Sequence, residues 1–394
     1  MPAEHRLSDP VGALLGDLPA FGSETFGRQV QRRPATGAEA LLGLDDVDHL
    51  LADTALRAPA FRLVREGAPI PAARYTRTAR IGSRTVPDLA DVAAVHRLVG
   101  EGATLVLQGL HRYWPPVTAA CAALEDALGH PVQANAYLTP PVATGLHIHG
   151  DPHDVLAVQT WGRKRWQVWP PGTDPGDPGD PVLDDDLVPG DALYLPTGTP
   201  HAPRTVDAAS LHLTVGIRAR TMDELVRDAV EAAVGDAGAT DAPLPAGWHR
   251  RPETLDADLA ARLERVAAAL TAQDPGTLTA RAARRAHASR PVRRRGGLTV
   301  LLDPDALADD TPLERVPGAI RRVAEGDGRV ELVLGDRRLR MPDRAAPAVR
   351  AVAERDALTP GDLRAHLDAP SRLVLARRLV REGVLRPARR PGTA

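Results

Sequence analysis

Between residues 132 and 217 the chain breaks into short runs, 132–138, 155–160, 164–169, 192–195 and 211–217, separated by turns rich in Gly, Pro and Asp. Each run is too short for a stable helix, and several alternate apolar and polar side chains, as half-buried strands do. Strands this short and this closely spaced satisfy their edges by closing into a jelly roll or barrel. Helix-period stretches, residues 38–51, 87–98 and 115–128, precede the strands rather than alternate with them. Residues 87–98 open on Pro87 and Asp88, which suits the first turn of a helix. The pattern predicts an α+β fold, a double-stranded β-helix core with helical decoration.

The same region concentrates the chain's ionisable chemistry. Five of the thirteen histidines, His147, His149, His153, His201 and His212, fall inside it. Asn135 is the only Asn in the chain, and Lys164 the only Lys among 49 basic residues. On an extended strand, residues two apart share a face, so His149 and Asp151 would direct an imidazole and a carboxylate to one point. His201, which follows the strand at 192–195 across a Gly/Pro turn, is the best third ligand. Two His and one carboxylate with open positions form the ligand set of non-haem Fe(II) oxygenases. Zinc held by three protein ligands is the chemical competitor. His147 lies on the same face and is expected behind the ligands rather than among them.

Composition narrows the alternatives. The formal net charge is -2, so bulk electrostatics do not favour a polyanion partner. Cys121 is the only cysteine, so no intrachain disulfide can form, and its apolar helical setting suits a buried thiol. No run reaches the length of a membrane span, and residues 1–10 lack the apolar segment of a secretory signal. The cytoplasm is the expected location and no membrane partner is expected. Aromatic residues are scarce, yet Trp114, Trp161, Trp166 and Trp169 gather near the histidines, which marks a bulky core or pocket there.

Several separate motifs, in order and spacing, resemble the cupin-like JmjC oxygenases, and within them the ribosomal-oxygenase group. They are Asn135-Ala136-Tyr137; Gly145 ahead of Ile148 and His149; His153-Asp154-Val155; Gln159; Gly162-Arg163-Lys164-Arg165-Trp166; Gly190 to Pro196; His201; and Ser210 to Val215. The resemblance covers about residues 20–220. It implies Fe(II) held by His149, Asp151 and His201, with 2-oxoglutarate and O2 as cosubstrates. It places Lys164 on the distal carboxylate of 2-oxoglutarate, where a compact ammonium suits the end of a deep pocket. It sets Tyr137 beside Lys164, and Asn135 near the metal or cosubstrate. Thr214 and His212 are expected to face inward on the last strand, Thr214 toward the cosubstrate and His212 behind the metal. Gly216 departs from members that carry a hydroxyl there. The implied activity is hydroxylation of a protein side chain, with His or Arg of a ribosomal protein as first targets. The same chemistry on a small molecule or peptide natural product, and a non-catalytic DNA- or protein-binding module, are the alternatives.

The remaining sequence divides into further parts. Residues 1–220 form the catalytic domain, 221–297 a helical linking domain, and 298–394 a winged-helix-like domain. In the linking domain, 222–234 and 253–270 carry helical stripes, and family resemblance implies a homodimer through them. The Arg-rich run 281–295 reads as a linker without the interleaved aromatics of a nucleic-acid platform. Residues 298–302, 329–334 and 337–341 read as strands, with a hairpin at Gly335-Asp336. Residues 345–354, 361–367 and 371–382 read as helices. Asp184-Asp185-Asp186 reads as a solvated loop.

Overall fold

The computed structural model of the chain describes residues 7–141, 147–174, 176–205, 207–238, 242–288, 294, 296–316, 318–320, 322–335 and 337–388. It divides into two compact units, one ending at Ala219 and one beginning at Arg220.

The first unit is built on strands β1 (Gln31–Pro34), β2 (Phe61–Arg65), β3 (Ala68–Pro69), β4 (Thr76–Ile81), β5 (Arg84–Ala90), β6 (Thr104–Leu107), β7 (Val132–Thr139), β8 (Asp154–Gly162), β9 (Lys164–Val168), β10 (Leu183–Leu187), β11 (Asp191–Leu195), β12 (His201–Arg204) and β13 (Ser210–Ile217). An eight-stranded sheet runs β1-β11-β8-β13-β7-β6-β2-β3, and a three-stranded sheet runs β10-β9-β12. Strand alternation sorts the side chains. On β7 and β13, Ala134, Ala136, Leu213 and Val215 turn to one face and pack with Val117, Ala120 and Leu124 of the helix Pro115–Leu128. That helix starts on Pro and stops at Gly129, whose φ of 73° closes the last turn. The opposite face of the large sheet meets the small one: Val155, Ala157, Leu193 and Leu195 pack against Trp166, Val168 and Leu187. Asn135, Tyr137, His212 and Thr214, one residue out of phase with the helix-facing set, point between the sheets.

Three expectations are corrected in this unit. Residues 87–90 belong to β5, and Asp88 takes φ +62°. The helix begins later, at Val92, because Asp91 accepts a hydrogen bond from the Ala94 amide at 3.1 Å and so caps it. The acidic run 184–186 is strand β10, paired with β9 and bounded by the buried Leu187, with Arg165 against Asp184 at 2.7 Å on its outer side. Residues 149–151 are not a strand: His149 makes a single antiparallel bridge with His201.

The second unit opens with helices Met222–Asp236, Asp256–Thr271 and Pro275–Ala288. Arg281, Arg284 and Arg285 therefore lie on a helix, not in a linker; Arg285 pairs with Asp228 at 3.5 Å. Arg290, Arg293 and Arg295 lie outside the described residues. Residues 298–302 are helical, within Gly297–Leu302: Val300 is buried while Leu298, Leu301 and Leu302 are exposed, a spacing that strand alternation does not produce. Strands Arg322–Gly326, Arg329–Val333 and Arg338–Pro342 form one antiparallel sheet, and Leu313–Arg315 joins Ala357–Leu358 and Leu385–Pro387 in another. The second half of the Gly335-Asp336 hairpin turn lies outside the described residues. Helices Ala346–Glu354 and Ala369–Arg381 complete the unit, whose core gathers Leu332, Val349, Leu379 and Val384. Residues 360–363 form only a 3-10 turn, Pro360–Leu363, which replaces the helix expected over 361–367. Among the described residues, no helix is long and apolar enough to cross a membrane.

Candidate active site

Two segments far apart in sequence, the stretch around His149 and the start of β12, are zipped together at the mouth between the sheets. The His149 amide donates to the His201 carbonyl at 3.1 Å, and the His201 amide to the His149 carbonyl at 2.9 Å. One step further, the Gly198 amide donates to the Asp151 carbonyl at 2.8 Å. A Cβ at Gly150 would lie 2.8 Å from the Gly198 carbonyl oxygen, so only glycine permits this approach. The result brings one donor atom each from His149, Asp151 and His201 within 4.8 Å of one another. Nε2 of His201 stands 3.6 Å from Asp151 Oδ2.

Each imidazole is oriented from behind. His149 Nδ1 lies 2.8 Å from the His147 carbonyl, and His201 Nδ1 lies 2.9 Å from the Thr199 carbonyl. A carbonyl accepts from a protonated Nδ1, which leaves Nε2 with a free lone pair, the arrangement a metal-bound His needs. Burial, and then the neighbouring His149, push the His201 pKa below its ordinary value and favour the neutral ligand form. His147 contributes through its backbone; its side chain is exposed. Two neutral imidazoles and a carboxylate facing a cavity fit a ferrous ion with open positions.

A cavity of about 320 Å³ opens beside the trio. Its floor is the inner face of β7 and β13, where Tyr137 and His212 lie opposite in register and stack with ring centroids 5.1 Å apart. Trp166 forms a wall, meeting both His201 and His212 at 5.7 Å. Lys164 also lines the cavity; only 5% exposed, it donates from Nζ to Thr139 Oγ1 at 3.1 Å. No carboxylate partners it among the described residues, and burial lowers its pKa from 10.5 to about 7. A buried amine with one neutral partner is suited to receive an anion. Burial, and then the charge of Lys164, hold His212 neutral. Burial raises the Tyr137 pKa.

Thr214 lines the cavity, as His212 does. Asn135 is set back: its Oδ1 accepts from the Gly109 amide at 2.9 Å, and it is absent from the cavity lining, although its side chain acts to lower the Tyr137 pKa against the larger effect of burial. At Gly216 the ring of His153 occupies the space a side chain would take, with Cε1 3.0 Å from an ideal Cβ. Sequence reasoning missed Thr139, which strand alternation two residues beyond Tyr137 would have found. It missed Arg62, an inward arginine between the core residues Phe61 and Leu63. It also missed what Asp154 does. Fully buried, Asp154 accepts from the Thr197 amide at 2.8 Å, from Thr197 Oγ1 at 2.6 Å and from the Tyr194 hydroxyl, and so pins the turn that delivers His201.

Residues 116–225 match the JmjC domain family. Ribosomal oxygenase 1 of Rattus norvegicus is 32% identical over 201 residues, covering 47% of this chain and 32% of that protein. The bifunctional lysine-specific demethylase and histidyl-hydroxylase NO66 of Drosophila willistoni is 33% identical over 132 residues, covering 30% of this chain and 17% of that protein. The chain thus spans about a third or less of these curated relatives. The ribosomal oxygenase YcfD of Escherichia coli, solved with cobalt and succinic acid, is similar in fold, with a TM-score of 0.54 at 21% identity over 94% of this chain and 97% of that one. The same protein with cobalt and 2-oxoglutarate gives 0.52 at 20% identity, over 94% and 97%.

Proposed function

We propose, on the premise that residues 116–225 match the JmjC domain family, that this chain is an Fe(II)- and 2-oxoglutarate-dependent oxygenase hydroxylating a polypeptide side chain. The observation that carries the proposal is the juxtaposition, in one cavity, of the His149, Asp151 and His201 donors with the unneutralised Lys164. Ferrous iron with 2-oxoglutarate and O2 supplies an oxidant able to replace a C–H bond by C–OH. The chain's own residues do the rest. His149, Asp151 and His201 would hold the metal through three donors and so leave coordination positions for cosubstrate and O2. Lys164 and Thr139 would receive the distal carboxylate, with the Tyr137 hydroxyl in the same cavity. Thr214 closes the floor, while Trp166 and the neutral His212 keep water from the reacting atoms. His147, through its carbonyl, sets the His149 tautomer.

The resemblance and the relatives' names support a ribosomal protein as substrate. A helical face with Met222, Val226, Val230 and Val234 exposed supports pairing of two copies through the helical segment. We read the strand-and-helix arrangement after residue 297 as a winged-helix-like module for holding the substrate protein, and the cytoplasm as the place of action.

Anaerobic titration of Fe(II) and 2-oxoglutarate tests the proposal. A visible charge-transfer band should appear in the wild type and vanish in Asp151→Ala. A folded wild type without that band contradicts it. Incubation with cell extract followed by intact-protein mass spectrometry separates a protein target, which gains one oxygen, from a small molecule.

A further inference from the structure

Beyond the metal and the keto acid, the cavity holds one more cation that this chemistry does not use. Arg62 reaches it from β2, at the far side of the floor. In register, Arg62 lies opposite Val106 and Val106 opposite Tyr137, so two strand spacings, about 10 Å, separate Arg62 from Tyr137 along one row. The guanidinium is oriented: Nε donates to Gln108 Oε1 at 2.5 Å, and Gln108 Nε2 is itself tied to the Pro59 carbonyl at 2.7 Å. Among the described residues no carboxylate pairs with Arg62. Glu66, at the mouth in the β2–β3 turn, is exposed and makes no ion pair with it. The charge of Arg62 is nonetheless felt inside, where it opposes the effect of burial on the Tyr137 hydroxyl.

The charges of a divalent ion, Asp151, Lys164 and a dianionic keto acid cancel, so Arg62 and Glu66 are the charges left on the cavity lining, and of the two Arg62 is the one held in place by a hydrogen bond. We infer that Arg62 is a specificity-determining residue: its free guanidinium edge binds an oxygen acceptor of the polypeptide substrate and keeps cationic target side chains out of the cavity. The inference rests on the oxygenase reading and narrows its target class to neutral side chains, such as imidazole or amide, over guanidinium or ammonium. The physical basis is ordinary. A planar guanidinium with one nitrogen clamped offers a fixed fork to a carbonyl or carboxylate. A second cation in the same half-buried cavity meets like-charge repulsion that solvent screens poorly.

The test uses the full chain loaded with Zn(II) and 2-oxoglutarate, which binds without turnover. It is applied to random octapeptide sets with a central position fixed as His, Asn, Arg or Lys, and retention is read by fluorescence. The wild type should favour the His and Asn sets over the Arg and Lys sets by about tenfold or more. Arg62→Met should level the four sets, Arg62→Lys should keep the order, and Arg62→Glu should invert it. Calorimetry should show 2-oxoglutarate affinity unchanged within about twofold in every variant. A wild type that favours Arg or Lys sets, or an order untouched by Arg62→Met, overturns the inference. So does loss of 2-oxoglutarate affinity in Arg62→Met, which would make Arg62 part of the keto-acid anchor. Failure of wild-type protein to bind 2-oxoglutarate at all is a separate result and bears on the oxygenase reading instead.

Discussion

Titrating 2-oxoglutarate into metal-loaded protein at a series of pH values tests Lys164 quantitatively. Its amine is buried, donates only to Thr139, and has its pKa lowered from 10.5 to about 7 by burial. A carboxylate binds the ammonium form, so binding above that pKa must draw a proton from solution. At pH 8 about nine in ten Lys164 amines are neutral, and the association constant should fall about 11-fold, or ~1.4 kcal/mol, below its acid plateau. Each further pH unit costs about another factor of ten. The neighbouring groups are silent in this window: His201 and His212 are held neutral mainly by burial, and Tyr137 titrates above its ordinary value for the same reason. Calorimetry in buffers of contrasting ionisation enthalpy should therefore record uptake of about 0.9 proton per 2-oxoglutarate at pH 8. Lys164→Arg, permanently charged, should bind with an affinity flat from pH 7 to 9 and with no proton uptake. A wild type with the same flat profile refutes the assignment of Lys164 to the cosubstrate.

The same depressed pKa governs stability without ligand. The unfolded chain holds the Lys164 proton up to 10.5 and the folded chain only up to about 7, so this group makes stability rise with pH across that window. Lys164→Met should stabilise the ligand-free protein by several kcal/mol, on the order of 5, below pH 7, with the gain gone near pH 10.5, as read by denaturant melts. Gly150→Ala should abolish metal binding while far-UV circular dichroism stays native, because its Cβ would strike the Gly198 carbonyl; an unchanged metal affinity would count against the zipped-loop geometry. Asp154→Asn replaces an acceptor of the Thr197 and Tyr194 donors with an amide that offers its own hydrogens. Metal affinity by competition with a chelator should drop about 10- to 100-fold, and an unchanged value would show that Asp154 does not position His201.

Local signals served well where local physics decides. Pro115 and Gly129 bracket a helix whose bounds match the reading from sequence, since a terminal Pro and a left-handed Gly act on their own turn. Strands β7 and β13 were legible because alternation survives whatever partner the strand finds. Residues 87–90 and 184–186 failed for the opposite reason. Pro87 and Asp88 suit a helix start, but they form an irregularity inside β5 whose flanks, Val86 and Leu89, pair with β4, and Asp91 supplies the actual cap. Three consecutive acids read as loop until Arg165 pairs with Asp184 and Asp186, Arg32 pairs with Asp185, and Leu187 anchors the end. Residues 298–302, a short apolar run, carry no period that separates helix from strand.

The trio shows what a local pattern leaves out. His149 and Asp151 were set on one face by assuming a strand, yet only His149 is extended against a partner, and that partner is the segment of His201 itself. The donors converge because a backbone bridge joins positions about fifty residues apart, because Gly150 and Gly198 let the backbones touch, and because the buried Asp154 fixes the turn at Thr197. None of these three conditions has a period or a propensity. They are consequences of packing two sheets face to face. The same packing buries Lys164 and turns the Asn135 amide oxygen to the Gly109 amide, so the residues that chemistry marks as unusual acquire their roles from neighbours on other elements.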